Sequence, residues 1–279
     1  MTITDDRDVK NFRIFLHPLC RLYKRASTTG MVYNMISKVR GCVDLQKNKY
    51  VIVSALAGDE CVASLQSMGY DVFRAGFLSS VDKAVCHHTD MQIVKACADL
   101  YVCAPELYDH FSPLFEKTDF RLISGSANPF GKYPGDIGYN VAVTDKYAIH
   151  NFSYTDRVFV ENSDYIKIDV KQGYSKCNIC IVGKEAVITS DRGVASVLEK
   201  HNMDVLLIRP GYIELHGYDY GFIGGCSGLL EKDLMVFNGD ISLHPDFDSI
   251  RGFCKNHGAD LCSLSKGNLT DIGTITPLG

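Results

Sequence analysis

The chain has 279 residues, of which 46% are hydrophobic and 22% charged, with a formal net charge of −4 and a pI near 6.1. That balance excludes long disorder and weighs against nucleic acid or an anionic membrane surface as partner, because both reward clustered positive charge. Eleven cysteines, scattered and odd in number, several inside apolar runs (Cys97, Cys103, Cys180, Cys262), read as reduced, buried thiols of a cytoplasmic protein.

The opening MTITDDRDVK is acidic and lacks an apolar core, so it is not a signal peptide, and no later run approaches the ~18 apolar residues of a membrane helix. Residues 11–49 contain FRIFLH and a stretch rich in Lys, Arg, Ser and Thr, and the pattern places no strands there. From residue 50 a repeating plan begins. The segment YVIVSALAGDECVASLQSMGYDVFRAG (50–76) has a β-branched run, a polar turn, a helix-like stretch stopped by Gly69, a second strand and a closing Gly76. DMQIVKACADLYV (90–102) reads as a hairpin leading into a second such segment, 99–125. VAVTD (141–145) leads into 146–173, ICIVG (179–183) into 185–211, and GLLEKD (228–233) into 234–267. The first and fourth segments align on Val62-Ala63-Ser64 and Val194-Ala195-Ser196, with Asn202 as the fourth segment's stop. The tail LTDIGTITPLG is expected to return beside the first unit.

The closing glycines Gly76, Gly125, Gly173, Gly211 and Gly267 recur at intervals of 38 to 56 residues. A fixed-order unit at this period predicts a single α/β domain over 1–279, a five-bladed pseudo-symmetric α/β propeller of ββαβ units whose closure hides strand edges. A doubly wound sheet would need neither the shared turns nor the fivefold count. The ring places a site for a small-molecule ligand in the central funnel, where the inner strands begin.

Several residues fall at those starts. Cys86, His88 and Asp90 share one face if CHHTDMQI is a strand. They then form either a metal half-site suited to Zn²⁺ or Fe²⁺, or a polar funnel wall. Asp136 and Asn140, after the Pro134-Gly135 turn, offer either a ligand-binding carboxylate and amide or a capped turn. Lys176 either binds a substrate carboxylate or forms a structural ion pair. Gly224 and Gly225 let the backbone approach a ligand or another strand. Cys177 and Cys180 form a CxxC that runs into an apolar strand, which points them to opposite faces and argues against redox or zinc chemistry. No metal or cofactor is assigned. His244-Pro245 is expected to end a strand, with Asp246 at a helix start.

The repeat, with KQGYSKC, GYDYGFIGGCSGLL and FNGDISLHPD, resembles the pentein, or guanidino-group-modifying enzyme, fold. That superfamily includes deiminases, amidinotransferases, dimethylarginine hydrolases and a non-enzymatic ribosome factor. Its enzymes attack a guanidinium carbon with a Cys, use a His as acid/base and grip the cation with carboxylates. The resemblance implies Asp90 as a substrate-gripping Asp and Cys226 as the nucleophile. Cys226, however, directly follows its Gly-Gly pair, whereas the deiminases place the Cys about two residues later. Ser175-Lys176-Cys177 stands where those enzymes carry His-x-Asp or His-x-Glu, so His88 is the candidate to supply the acid/base. The function implied is a Cys-dependent hydrolase or transferase acting on a guanidino- or amino-acid-like small molecule, with Asp90, Asp136, Asn140, Lys176 and Gly225 binding substrate. The alternative is a non-catalytic member of the fold that binds a small ligand or a protein partner.

Overall fold

Five short apolar runs, each buried along most of its length, form the middle strands of five separate three-stranded sheets. They belong to a computed structural model that describes residues 49–279. In chain order the elements are β1 (Lys49–Val53), α1 (Asp59–Ser67) and β2 (Tyr70–Arg74), followed by β3 (Ile93–Cys97), β4 (Leu100–Cys103), α2 (Tyr108–Phe115) and β5 (Arg121–Ser124). Next come β6 (Ala142–Val143), β7 (Tyr147–His150), α3 (Arg157–Asn162) and β8 (Ile166–Asp169). A one-turn helix α4 (Ser175–Asn178) precedes β9 (Cys180–Ile181), β10 (Ala186–Thr189), α5 (Arg192–Lys200) and β11 (Asp204–Leu207). The last unit is β12 (Ser227–Glu231), β13 (Leu234–Phe237), α6 (Phe247–Asn256) and β14 (Asp260–Ser263), and the chain then adds β15 (Thr276–Pro277).

In every sheet the middle strand pairs antiparallel with an inner strand and parallel with an outer strand. The parallel pairing requires a crossover, and one helix supplies it each time. Four units take their inner strand from the residues just before the middle strand. The first takes it from the tail: Val51 pairs with Pro277 and Ile52 with Thr276. The expected return of the tail is thus what the chain does, and the architecture is the pentein-like set of five ββαβ units. Of the segment 11–49, whose strands the pattern left unplaced, Lys49 opens β1, and the rest, like all of the 1–279 domain before residue 49, lies outside the described residues.

Local chemistry sets the helix ends. Asp156 caps α3, accepting from the Val158 N–H at 2.9 Å, and Asp191 caps α5, accepting from Gly193 and Val194 at 2.7 and 3.0 Å. The stops at Gly69 and Asn202 adopt φ of 89° and 59°, the left-handed conformation that ends a helix. Among the closing glycines, Gly125 is required by packing: a methyl group there would collide with the Tyr139 ring.

The five inner strands line one cavity of about 1040 Å³, with Ile93, Val143, Ile181, Leu229 and Thr276 each contributed by a different sheet. Among the described residues no helix is long and apolar enough to cross a membrane.

Candidate functional site

The residues just before successive inner strands converge because the pseudo-symmetry repeats their position. Asp90 lies before β3, Asn140 before β6, Lys176 and Cys177 before β9, Gly225 and Cys226 before β12, and Thr274 before β15. Asp90, Lys176 and Thr274 line the central cavity.

The segment expected to be a strand from Cys86 to Ile93 is instead a turn followed by a single 3₁₀ turn at Thr89–Met91, and β3 starts only at Ile93. The alternation argument therefore fails for Cys86, His88 and Asp90. Cys86 stays half-buried, with its thiol 3.4 Å from the Lys83 carbonyl. His88 and Asp90 turn inward and meet a different thiol. One donor atom each from His88, Asp90 and Cys177 lies within 4.8 Å of the others, and all three side chains are buried.

Cys177 is held from both sides. Its thiol donates to Asp90 Oδ2 at 3.0 Å, and the Asn140 amide nitrogen donates to its sulfur at 3.1 Å. Asn140 Oδ1 accepts from the backbone N–H groups of Lys176 and Cys177 at 2.8 and 3.2 Å. Asn140, expected either to bind ligand or to cap a turn, has its amide engaged in fixing the α4 turn. The expectation that Cys177 begins an apolar strand is corrected by that turn, which aims Cys177 at Asp90 while Cys180 enters an apolar cluster.

Asp90 Oδ2 also accepts from the Thr274 hydroxyl at 2.8 Å, whereas Asp90 Oδ1 is buried with no hydrogen-bond partner among the described residues. Both ring nitrogens of His88 are likewise unpartnered. Asp271 Oδ1 lies 3.8 Å from His88 Nδ1, beyond hydrogen-bonding range. Unsatisfied buried polar atoms of this kind are costly, and three of them are concentrated on His88 and Asp90.

Burial governs the charges. It lowers the His88 pKa to about 4, so the imidazole is neutral. It raises Asp90, with the nearby His88 opposing and Asp271 adding to the rise, and it pushes Cys177 well above the usual thiol range, with Asp90 adding to the effect. Asp271 rises to about 6. Lys176 is lowered by burial against the opposing pull of Asp90. Burial thus disfavours the charged form of both Cys177 and Asp90.

The remaining sequence candidates lie as follows. Cys226 is fully buried in an apolar cluster with Cys180, Ile223 and Phe237, and its thiol donates to the Ile223 carbonyl at 3.3 Å. It packs there because it directly follows Gly225, whose N–H donates to the Cys177 carbonyl at 2.8 Å. Gly225 is pressed against Asp271, where any side chain would collide with the carboxylate. Asp136 accepts from the Tyr174 hydroxyl at 2.7 Å, and its other oxygen is buried and unpartnered. Asp246 lies at the start of α6, as expected, but His244 follows a 3₁₀ turn at Ile241–Leu243 and does not end a strand, because β13 stops at Phe237. The sequence reading missed Cys177, Thr274 and Asp271. The first was signalled by its place in Ser175-Lys176-Cys177, the other two by the tail's role as the fifth inner strand.

No curated protein matches the chain by sequence. Among solved structures the chain is similar to an amidinotransferase of the saxitoxin biosynthetic pathway from Microseira wollei, at 9% identity and TM-score 0.48 over 77% of this chain and 88% of that one. It is similar to DDAH from Pseudomonas aeruginosa complexed with citrulline, at 8% identity and TM-score 0.44 over 77% and 91%. A dimethylarginine dimethylaminohydrolase adduct with 4-chloro-2-hydroxymethylpyridine is similar at 10% identity and TM-score 0.44 over 77% and 92%. A family model matches residues 52–276, and the chain belongs to that family, a family of unknown function (DUF6873).

Proposed function

We propose that the chain is a Cys177-dependent hydrolase or transferase for a cationic small molecule, guanidino- or amino-acid-like, that enters the central cavity. The observation that carries this reading is the Cys177 thiol held 3.0 Å from Asp90, a carboxylate that lines the cavity of about 1040 Å³, beside an imidazole whose two nitrogens have no hydrogen-bond partner among the described residues. A planar cation brings N–H donors to Asp90 Oδ1, which has no partner among the described residues, and favours the ionised carboxylate that accepts the thiol proton. The Cys177 proton passes to Asp90 Oδ2, the sulfur–carbon bond forms, and the carbon–nitrogen bond to the leaving amine breaks. The amine departs with that proton, relayed through His88. Water or an acceptor amine then displaces the sulfur, and the proton it loses restores the thiol.

The high pKa of Cys177 favours a second reading, in which the cavity binds its ligand without chemistry. Alkylation separates the two. Brief treatment with chloroacetamidine, compared with neutral chloroacetamide, is followed by peptide mapping of the thiols. The catalytic reading expects Cys177 to react faster than the half-buried Cys86, Cys97 and Cys262, with a preference for the charged reagent that Asp90→Asn removes. If Cys177 lags behind those thiols, or shows no preference for charge, catalysis by Cys177 is refuted.

A further inference from the structure

His88, Asp90 and Cys177 bring three potential metal donors together in one buried place. A thiol, an imidazole and a carboxylate are the donor set that suits a borderline divalent ion such as Zn²⁺. Bond lengths of about 2.0–2.3 Å put the donors of a tetrahedral zinc site roughly 3–4 Å apart. The three donors here lie within 4.8 Å of one another, with sulfur and carboxylate already at 3.0 Å, so small side-chain rotations close the set.

Two further features favour an ion. Both His88 nitrogens and Asp90 Oδ1 are buried without hydrogen-bond partners among the described residues, so a cation would satisfy them. Asp271 stands with Oδ1 3.8 Å from His88 Nδ1, so a small shift would bring it into hydrogen-bonding range as the outer carboxylate of a metal-bound imidazole. Its own oxygens are fixed by the backbone N–H groups of Phe222 and Gly273, both at 2.9 Å. Asp90, one of the three donors, and Thr274, which donates to it, line the central cavity.

We infer that His88, Asp90 and Cys177 bind one Zn²⁺-class ion, and that the ion competes with the organic ligand for the same atoms. Binding releases the Cys177 proton to solvent and leaves the sulfur as a metal-bound thiolate. Metal binding stands independently of the catalytic reading; only its consequence, inhibition, rests on it. A bound ion occupies the sulfur that would attack and the carboxylate that would grip the cation.

The test uses the full chain freed of metal by chelator dialysis and titrated with Co²⁺. The expected result is a thiolate-to-cobalt charge-transfer band that saturates at one equivalent and disappears on adding Zn²⁺. Cys177→Ser abolishes the band, His88→Gln and Asp90→Asn weaken Co²⁺ affinity at least tenfold, and Cys86→Ser leaves it unchanged. One equivalent of Zn²⁺ protects Cys177 from alkylation. A folded wild-type protein without the band overturns the proposal, as does a band that survives Cys177→Ser. If the band is absent while Cys177 still alkylates fastest, the metal proposal falls and the catalytic reading stands. If the band is present while the metal-free thiol is inert, the metal proposal stands and the catalytic reading falls.

Discussion

Asn140 binds more of the site than any other single side chain, since its amide reaches two backbone N–H groups and the Cys177 sulfur. Asn140→Ala leaves the Cys177 N–H without its partner, while the Lys176 N–H keeps the Asn140 backbone carbonyl at 3.1 Å, and about 1–3 kcal/mol of stability is expected to go, with Cys177 alkylation altered as well. Cys226 behaves differently. Cys226→Ala removes one buried sulfur from an apolar cluster, so urea unfolding should show a loss of about 1–2 kcal/mol while Cys177 labelling is unchanged. An alkylation pattern that follows Cys226 rather than Cys177 contradicts this. His150 gives a pH signature. Its Nε2 donates to the Gly173 carbonyl at 2.7 Å, anchoring the loop that leads to α4, and burial lowers its pKa to about 4. The folded value lies below the unfolded value of about 6.5, so this contribution is fully present above pH 6.5 and is lost as pH falls towards 4. The loss is on the order of 2 kcal/mol by pH 5. Urea midpoints between pH 7 and 5 should fall less steeply in His150→Gln; an equal slope would show that His150 carries none of the effect.

The middle strands and their hairpins were legible in the sequence because burial on both faces writes continuous apolar runs such as Val51–Val53 and Ala186–Ile188. The helix stops were legible for a different reason: Gly69 and Asn202 tolerate a left-handed backbone. The site was less legible, since it sits on elements too short to carry a period. Four residues of α4 and three of the Thr89–Met91 turn show neither a 2 nor a 3.6 repeat, so alternation misassigned both Cys86 and Cys177. Caps provide a test at this scale. Asp191 accepts from two backbone N–H groups and from the Gln172 amide at 3.2 Å, so Asp191→Ala is expected to cost about 1 kcal/mol. Asp156 caps α3 and also accepts from the Ser126 N–H and hydroxyl at 2.8 and 2.7 Å, tying the end of one unit to the helix of the next. Asp156→Ala should therefore cost about 2–4 kcal/mol, clearly more than Asp191→Ala in parallel thermal unfolding. Equal losses would mean that the link to Ser126 contributes nothing.

Across the five units, one segment both closes the set and completes the site. The tail pairs with β1 through Thr276 and Pro277, and the residues just before them supply Thr274 to Asp90 and Asp271 to the surroundings of His88. Stability of the closure and integrity of the site should therefore fail together. Gly228 permits the close approach of β12 to the tail, since a methyl there would collide with the Ile275 carbonyl. Gly228→Ala is expected to cost about 1–3 kcal/mol and to change Cys177 reactivity as well, though neither residue touches the thiol. Loss of stability with unaltered labelling would uncouple the two. The fivefold count and the return of the tail were readable from the repeating strand–helix–strand order. That the tail also carries site residues was not, because it depends on which residue stands two places before a two-residue strand.

The most direct measurement is a crystal structure of the protein after reaction with chloroacetamidine. The account predicts a new sulfur–carbon bond on Cys177, with the amidinium nitrogens within hydrogen-bonding distance of Asp90 Oδ1. An adduct on Cys226, or one on Cys177 whose amidinium turns away from Asp90, would contradict it.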